Sequence, residues 1–184
     1  MLTPIADLEQ SDALATATQR WVERVVIGLN LCPFAKAVQV KKRVRYAVTA
    51  ASTADQLLAE LEHELETLVA TDVASIETTL LIHPFAMNNF IDYHFFMGEA
   101  DAALKRLDIV GVLQIAGFHP QYQFAGTEPD DMSNFTNRSP HPMLHLLRES
   151  SVATAVAAFP DAAEIFDSNI AKLRALGYEG WRKL

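Results

Sequence analysis

Two histidines four residues apart, His141 and His145, stand in the stretch TNRSPHPMLHLLRE, residues 136 to 149. Read as a helix that starts near His141, at about 100° per residue, the stretch gathers His141, His145, Arg148 and Glu149 on one face. Met143, Leu144, Leu146 and Leu147 then form the opposite, packing face. Imidazoles at i and i+4 can share one metal ion, and Asp130, Asp131 or Glu149 could add oxygen ligands. A divalent metal of the zinc, iron or manganese kind would supply a bound water as nucleophile, with Arg138 or Arg148 holding an anionic substrate. Without a metal, the same groups fit acid/base chemistry: one imidazole as general base, a carboxylate to orient it and an arginine to stabilise charge.

Two further histidines follow apolar runs that read as strands, His83 after TTLLI and His119 after LQIAGF. Ligands of open α/β sheets bind at the carboxyl ends of strands, so four of the six histidines are expected to converge there. The expected metal donors are His83, His119, His141 and His145. The expected catalytic groups are His119, His145, Asp131 and Arg138, with Arg148, Asn137, Tyr122 and Cys32 against the substrate. Each also has a structural reading: the spacing of two histidines arises in helices that bind nothing, and Arg138 fits a pin for loop carbonyls. Arg148 and Glu149 fit surface ion pairs. Asn137 and Ser139 fit the turn before the helix, and His141 fits the helix start. His63 and His94 fall inside helices and carry no site reading.

Cys32 is the chain's single cysteine, which excludes an intrachain disulfide framework and a zinc site built mainly of thiolates. In Leu31-Cys32-Pro33-Phe34 it could begin a short helix with Pro33 in the first position, where the dipole activates a thiol. Among Leu, Pro and Phe it fits equally a small buried hydrophobe.

The elements that must position these groups follow from periodicity. Residues 12 to 29 repeat apolar residues at helical spacing, and RVRYAV, 43 to 48, alternates as a half-exposed strand. Thr53-Ala-Asp-Gln56 is a capping box that opens a helix striped by Leu57, Leu61, Leu65 and Leu68. A strand over 76 to 83, a helix from Asn89 to Leu107 and a strand over 109 to 118, buried on both faces, come next. The chain finishes with SVATAVAAF, a break at Pro160, a start at Asp161-x-x-Glu164 and a helix that Gly177 should cap. Strands separated by single helices imply parallel pairing through right-handed crossovers. The expected fold is therefore α/β: a small, mostly parallel sheet with crossover helices and a C-terminal helical layer.

The 184 residues suit one globular domain, and half of them are hydrophobic, enough for a proper core. Fifteen basic against twenty-three acidic residues give a net charge of −8, which opposes nucleic-acid binding, and the cluster from Lys41 to Arg45 reads as a solvated edge. No apolar run approaches the roughly 18 to 20 residues of a membrane span, and the first residues lack a signal-peptide pattern, so a cytoplasmic location is expected. Asn134-Phe-Thr136 and Asn137-Arg-Ser139 match glycosylation acceptors, without meaning in such a chain. The segment from Gln121 to Pro140 is long for a loop and reads as functional, anchored by Tyr122, Phe124 and Phe135.

The blocks LNLCPFAKAV, TTLLIHPF, QIAGFHPQYQFAG and TNRSPHPMLHLLRE resemble those of a bacterial family of unknown function, DUF1415, over nearly the whole chain. That resemblance implies no activity, cofactor or catalytic residue, so the chemistry rests on the residues themselves. The expectation is a small-molecule enzyme with a histidine-rich site at the carboxyl edge of the sheet. The alternative is a non-catalytic module that binds an anionic ligand or a partner protein.

Overall fold

The computed structural model describes residues 5–158 and 164–184. Pro160 and Asp161, read above as a break and a helix start, lie outside the described residues. The chain runs α1 (Ile5–Trp21), a π turn (Val22–Ile27), α2 (Ala35–Val40), β1 (Val44–Val48), α3 (Ala54–Ala70), β2 (Thr78–Ile82) and α4 (Phe90–Arg106). It continues through β3 (Leu113–Phe118), a 3₁₀ turn (Met132–Thr136), β4 (Met143–Arg148), α5 (Glu149–Ala157) and α6 (Ile165–Trp181). Among the described residues, no helix is long and apolar enough to cross a membrane.

The fold class is the α/β one that the alternation of strands and helices implies. Local chemistry sets the helix starts: the Thr53 side chain accepts from Gln56 N, and Gln56 Oε1 accepts in return from Ser52 N. Asn89 caps α4 by accepting from Ile91 N and Asp92 N. Leu57, Leu61, Leu65 and Leu68 of α3 are fully buried, each contributing about 1.5–3 kcal/mol of transfer free energy.

The four strands lie in the order β1-β2-β4-β3. β1 and β2 pair in parallel, while β4 pairs antiparallel with both β2 and β3. The three strands expected from the sequence therefore do point the same way, but β4 is inserted between the last two. Only one of the three pairings is parallel, which corrects the expected mostly parallel sheet. β3 is consequently an edge strand and only partly buried, rather than covered on both faces.

The inserted strand corrects the largest error of the sequence reading, the helix over 141 to 149. Residues that precede proline disfavour the α region, so Ser139-Pro140 and His141-Pro142 lead the chain in extended. The run MLHLLR then satisfies both neighbours along its length. A central strand covered on both sides has no reason to alternate in polarity, and Met143, Leu144 and Leu146 are all fully buried. Leu144 and Leu146 face the core under α3 and α4, while Met143, with Leu80 and Ile82 of β2, packs beneath Trp21 and Val22. The sheet thus has two covered faces, and the strand-borne or strand-end histidines are divided between them. Around its end, α6 packs Leu173 against Phe135 and Val25, and Gly177, at φ 65°, interrupts α6 where a helix end was expected.

Candidate functional site

His83 and His119 do stand at the carboxyl ends of β2 and β3, and their backbones are tied to the entry of β4: His83 N donates to Pro142 O and His119 N to Asn137 O. Their rings turn into the packing layer under α4. His83 stacks on Tyr93 at 5.9 Å, and Tyr93 meets His119 at 5.1 Å. Both imidazoles are essentially buried. His119 Nε2 donates to Met87 O at 3.1 Å while its Nδ1 accepts from Gln121 N, so both nitrogens already hold loop backbone together. His83 Nδ1 donates to Ala86 O, and its Nε2 has no partner among the described residues. Burial pushes His83 down to about 4 and also lowers His119.

His145 lies on the other face of the sheet. Alternation along β4 places it with Met143 and Leu147, opposite Leu80 of β2 and Ala116 of β3. The four imidazoles therefore do not surround one point, which corrects the expected convergence. No group of three or more His, Cys, Asp or Glu side chains is arranged to hold a metal among the described residues. His141 is half-buried at the entry of β4, where its carbonyl accepts from Ser139 Oγ, and burial lowers its imidazole as well.

The long segment after β3 is held by its own polar groups. Asp131 caps the 3₁₀ turn by accepting from Ser133 N, which keeps its carboxyl below the usual range, and it faces Arg174 at 3.8 Å. Asn137 Nδ2 donates to Gly117 O. Arg138 donates to Tyr122 O and Pro129 O and lies 4.2 Å above the Phe135 ring, so the pin reading of this arginine describes its bonds. Tyr122 packs between Phe90 and Phe124. Asn134, one of the polar residues of this segment, ties it together: its Oδ1 accepts from Phe124 N and Thr127 Oγ1 while its Nδ2 donates to Glu128 O.

Arg148 is also structural. It donates to Leu68 O and Thr71 O at 2.6 Å and to Ile76 O at 3.1 Å, closing the C-terminal end of α3. Its fork is thereby engaged with backbone carbonyls, at the margin of the cleft described below. Glu149 opens α5, its N–H bonded to Val112 O. Cys32 precedes α2 by three residues, with Phe34 at the cap, so Pro33 is not a first helical residue and the expected dipole activation lacks its geometry.

What the fold does bring together is a cleft of about 210 Å³ on the α1 face. Its floor is Thr78, Leu80, Phe118, His145 and Leu147; Val26, Cys32, Phe34 and Val38 form one wall, and Ser151, Val152 and Ala155 of α5 the other. The lining is mostly aliphatic and aromatic with a few polar groups, the usual make-up of a small-molecule site. A family model for proteins of unknown function, DUF1415, matches residues 13–183. The chain belongs to that family. No curated protein and no solved structure matches it. Of the blocks that carried the resemblance to DUF1415, LNLCPFAKAV supplies the wall at Cys32, Phe34, Ala35 and Val38. TNRSPHPMLHLLRE supplies His145, Leu147 and Arg148.

Between the charged Glu77 and Arg148 at its margin, the floor carries the pair His145 and Thr78, with Nε2 and Oγ1 at 2.8 Å. Thr78 Oγ1 also lies 2.6 Å from Leu146 O, to which its single proton is donated. The hydroxyl oxygen is then left to accept, so His145 Nε2 must carry the imidazole proton and Nδ1 the lone pair. Burial pushes the imidazole down to about 4. It is therefore neutral at physiological pH, with its tautomer set by Thr78.

Proposed function

We propose that the protein is an enzyme acting on a small, largely apolar molecule by histidine acid/base chemistry, with the His145 cleft as its active site. The observation that carries this reading is the Thr78–His145 pair: a neutral imidazole of set tautomer on the floor of an apolar cleft. In this arrangement Nδ1 is the base that accepts a proton from the substrate, and Nε2–H stays on Thr78. Glu77, beside Thr78 in the lining, is the carboxylate of the cleft and faces Arg43 at 3.8 Å. The substrate anion created in the same step meets the imidazolium directly, so proton removal and return are coupled within the cleft. That suits proton abstraction beside a carbonyl or from a hydroxyl. Cys32 and Ser151 on the walls supply weak hydrogen-bonding groups for orientation.

A metal-free form of the reaction is favoured by placement, because His83 and His119 point into the opposite layer with three of their four ring nitrogens on loop backbone. The test is solvent exchange: small ketones and aldehydes are incubated with the protein in D2O, and loss of α-proton signal is followed by NMR, alongside His145→Gln. Faster exchange with the native protein, abolished in a folded His145→Gln, supports the reading. Saturable binding of the same compounds with no His145-dependent exchange would overturn it in favour of a binding pocket.

A further inference from the structure

On the far side of Trp21 from the cleft, the same helix edges a second concavity, of about 550 Å³. Four arginines line it: Arg20 from α1, Arg24 from the π turn, Arg138 from the long loop and Arg182 after α6. The chain has only fifteen basic residues and a net charge of −8, yet four of its cations face one groove that no acidic side chain lines. Such a concentration runs against the charge of the whole molecule and creates a local positive potential focused by the groove walls.

Three of the four guanidiniums, those of Arg20, Arg24 and Arg182, have few structural partners. Among the described residues Arg20 has no hydrogen bond or ion pair. Arg24 reaches only Leu184 O, at 3.4 Å, and Arg182 lies 3.9 Å from Glu179 with both side chains well exposed. Arg20 and Arg24 place like charges one turn apart, which opposes the helix that carries them. That helix changes there to a π turn, Val22–Ile27, a widened geometry found mostly where a helix serves a site. Arg138 differs from the other three. Bonds to Tyr122 O and Pro129 O and its stack on Phe135 fix its plane, whereas Arg20 is unpartnered among the described residues, Arg24 is lightly held by Leu184 O, and Arg182 sits between Glu179 and the Tyr178 ring at 5.9 Å.

We propose that this groove binds a small polyanion of the phosphate-ester or polycarboxylate kind, at a site separate from the His145 cleft. Planar guanidiniums match both groups in bidentate pairs, and several arginines around one concavity suit an anion of two or more charges rather than a single carboxylate. The groove accommodates a small molecule. The acidic remainder of the chain repels an extended nucleic acid that would overrun it.

The test is calorimetric titration of the full-length protein with pyrophosphate and, separately, with citrate, at constant ionic strength. The comparison variants are Arg20→Gln/Arg24→Gln and His145→Gln. The expected result is saturable binding of at least one probe, weakened at least about tenfold in the double variant, whose thermal unfolding is unchanged, and unaltered in His145→Gln. Tighter pyrophosphate marks the phosphate kind and tighter citrate the polycarboxylate kind. Absence of saturable binding, binding that the double variant keeps, or a single-stranded RNA that binds much more tightly than either probe would overturn the proposal. Because His145→Gln removes the proposed chemistry and not the arginines, failure of one reading leaves the other standing.

Discussion

Thr78 Oγ1 stands 2.8 Å from His145 Nε2 and 2.6 Å from Leu146 O, so one hydroxyl both accepts from the imidazole and donates to the strand that carries it. Thr78→Val keeps the shape and removes both bonds. The expected loss of stability is about 1–3 kcal/mol, because two buried polar atoms are left without partners. Urea unfolding measures it. The same variant should lose the preference for the Nε2–H tautomer while the cleft keeps its volume.

Stability should depend on pH through His83 and His145. Both are held down to about 4 in the fold against an ordinary value near 6.5. Below 6.5 the unfolded chain takes up protons that the folded chain refuses, so this contribution is complete above 6.5 and is lost as pH falls towards 4. The drop should reach the order of 2 kcal/mol for each imidazole by pH 5, read by urea unfolding at pH 7, 6 and 5. His83→Gln should flatten part of the slope. Stability that is level from pH 6.5 to 5 would contradict the burial described.

Arg148 closes the end of α3 through three carbonyls, so neither its charge nor its length alone is what matters. Arg148→Lys offers a point charge in place of a planar fork and should recover little. Arg148→Met should cost about 2–4 kcal/mol by leaving Leu68 O, Thr71 O and Ile76 O without the donor they share. Thermal and urea unfolding of both variants decide this, and a fully stable Arg148→Lys would return the residue to the surface role read from sequence.

Gly117 of β3 lies against Tyr93 and Met97 of α4. A Cβ added there would lie 2.5 Å from Tyr93 Oη, which is itself held by donating to Met143 O at 3.0 Å. Gly117→Ala should therefore destabilise by about 1–3 kcal/mol. Tyr93→Phe, which alone costs about 1 kcal/mol through the lost hydrogen bond, should relieve part of that strain. The double variant is expected to lose less than the sum, a coupling that a double-mutant cycle reads directly.

Much of the frame was legible because its signals are local. The Thr53 capping box, the leucine stripe of α3, the apolar run of β2 and the start of α4 at Asn89 each need only neighbouring residues to act. β4 was not legible, since MLHLLR is apolar on both faces and its spacing fits a helix as well as a central strand. What decides it is pairing with β2 and β3, residues 61 to 69 and 25 to 35 positions distant, together with the extended entry that Pro140 and Pro142 impose. The site reading inherited that error. A helix would have put His141 and His145 on one face; a strand with its carboxyl-edge neighbours sends His145 to one side of the sheet and His83 and His119 to the other. His145 and Cys32 were chosen from sequence and do share a cleft. Their partner Thr78 was not, because a threonine in a buried strand carries no mark of its role.

The most direct test of the account is the ¹⁵N spectrum of the His145 ring at pH 7, recorded alone and during titration with phenol, a small apolar molecule with a single hydroxyl donor. The expected result is a neutral ring with the proton on Nε2 and an Nδ1 signal that moves as phenol binds, but not as toluene does. A ring that is charged at pH 7, that carries its proton on Nδ1, or whose Nδ1 signal ignores phenol would contradict it.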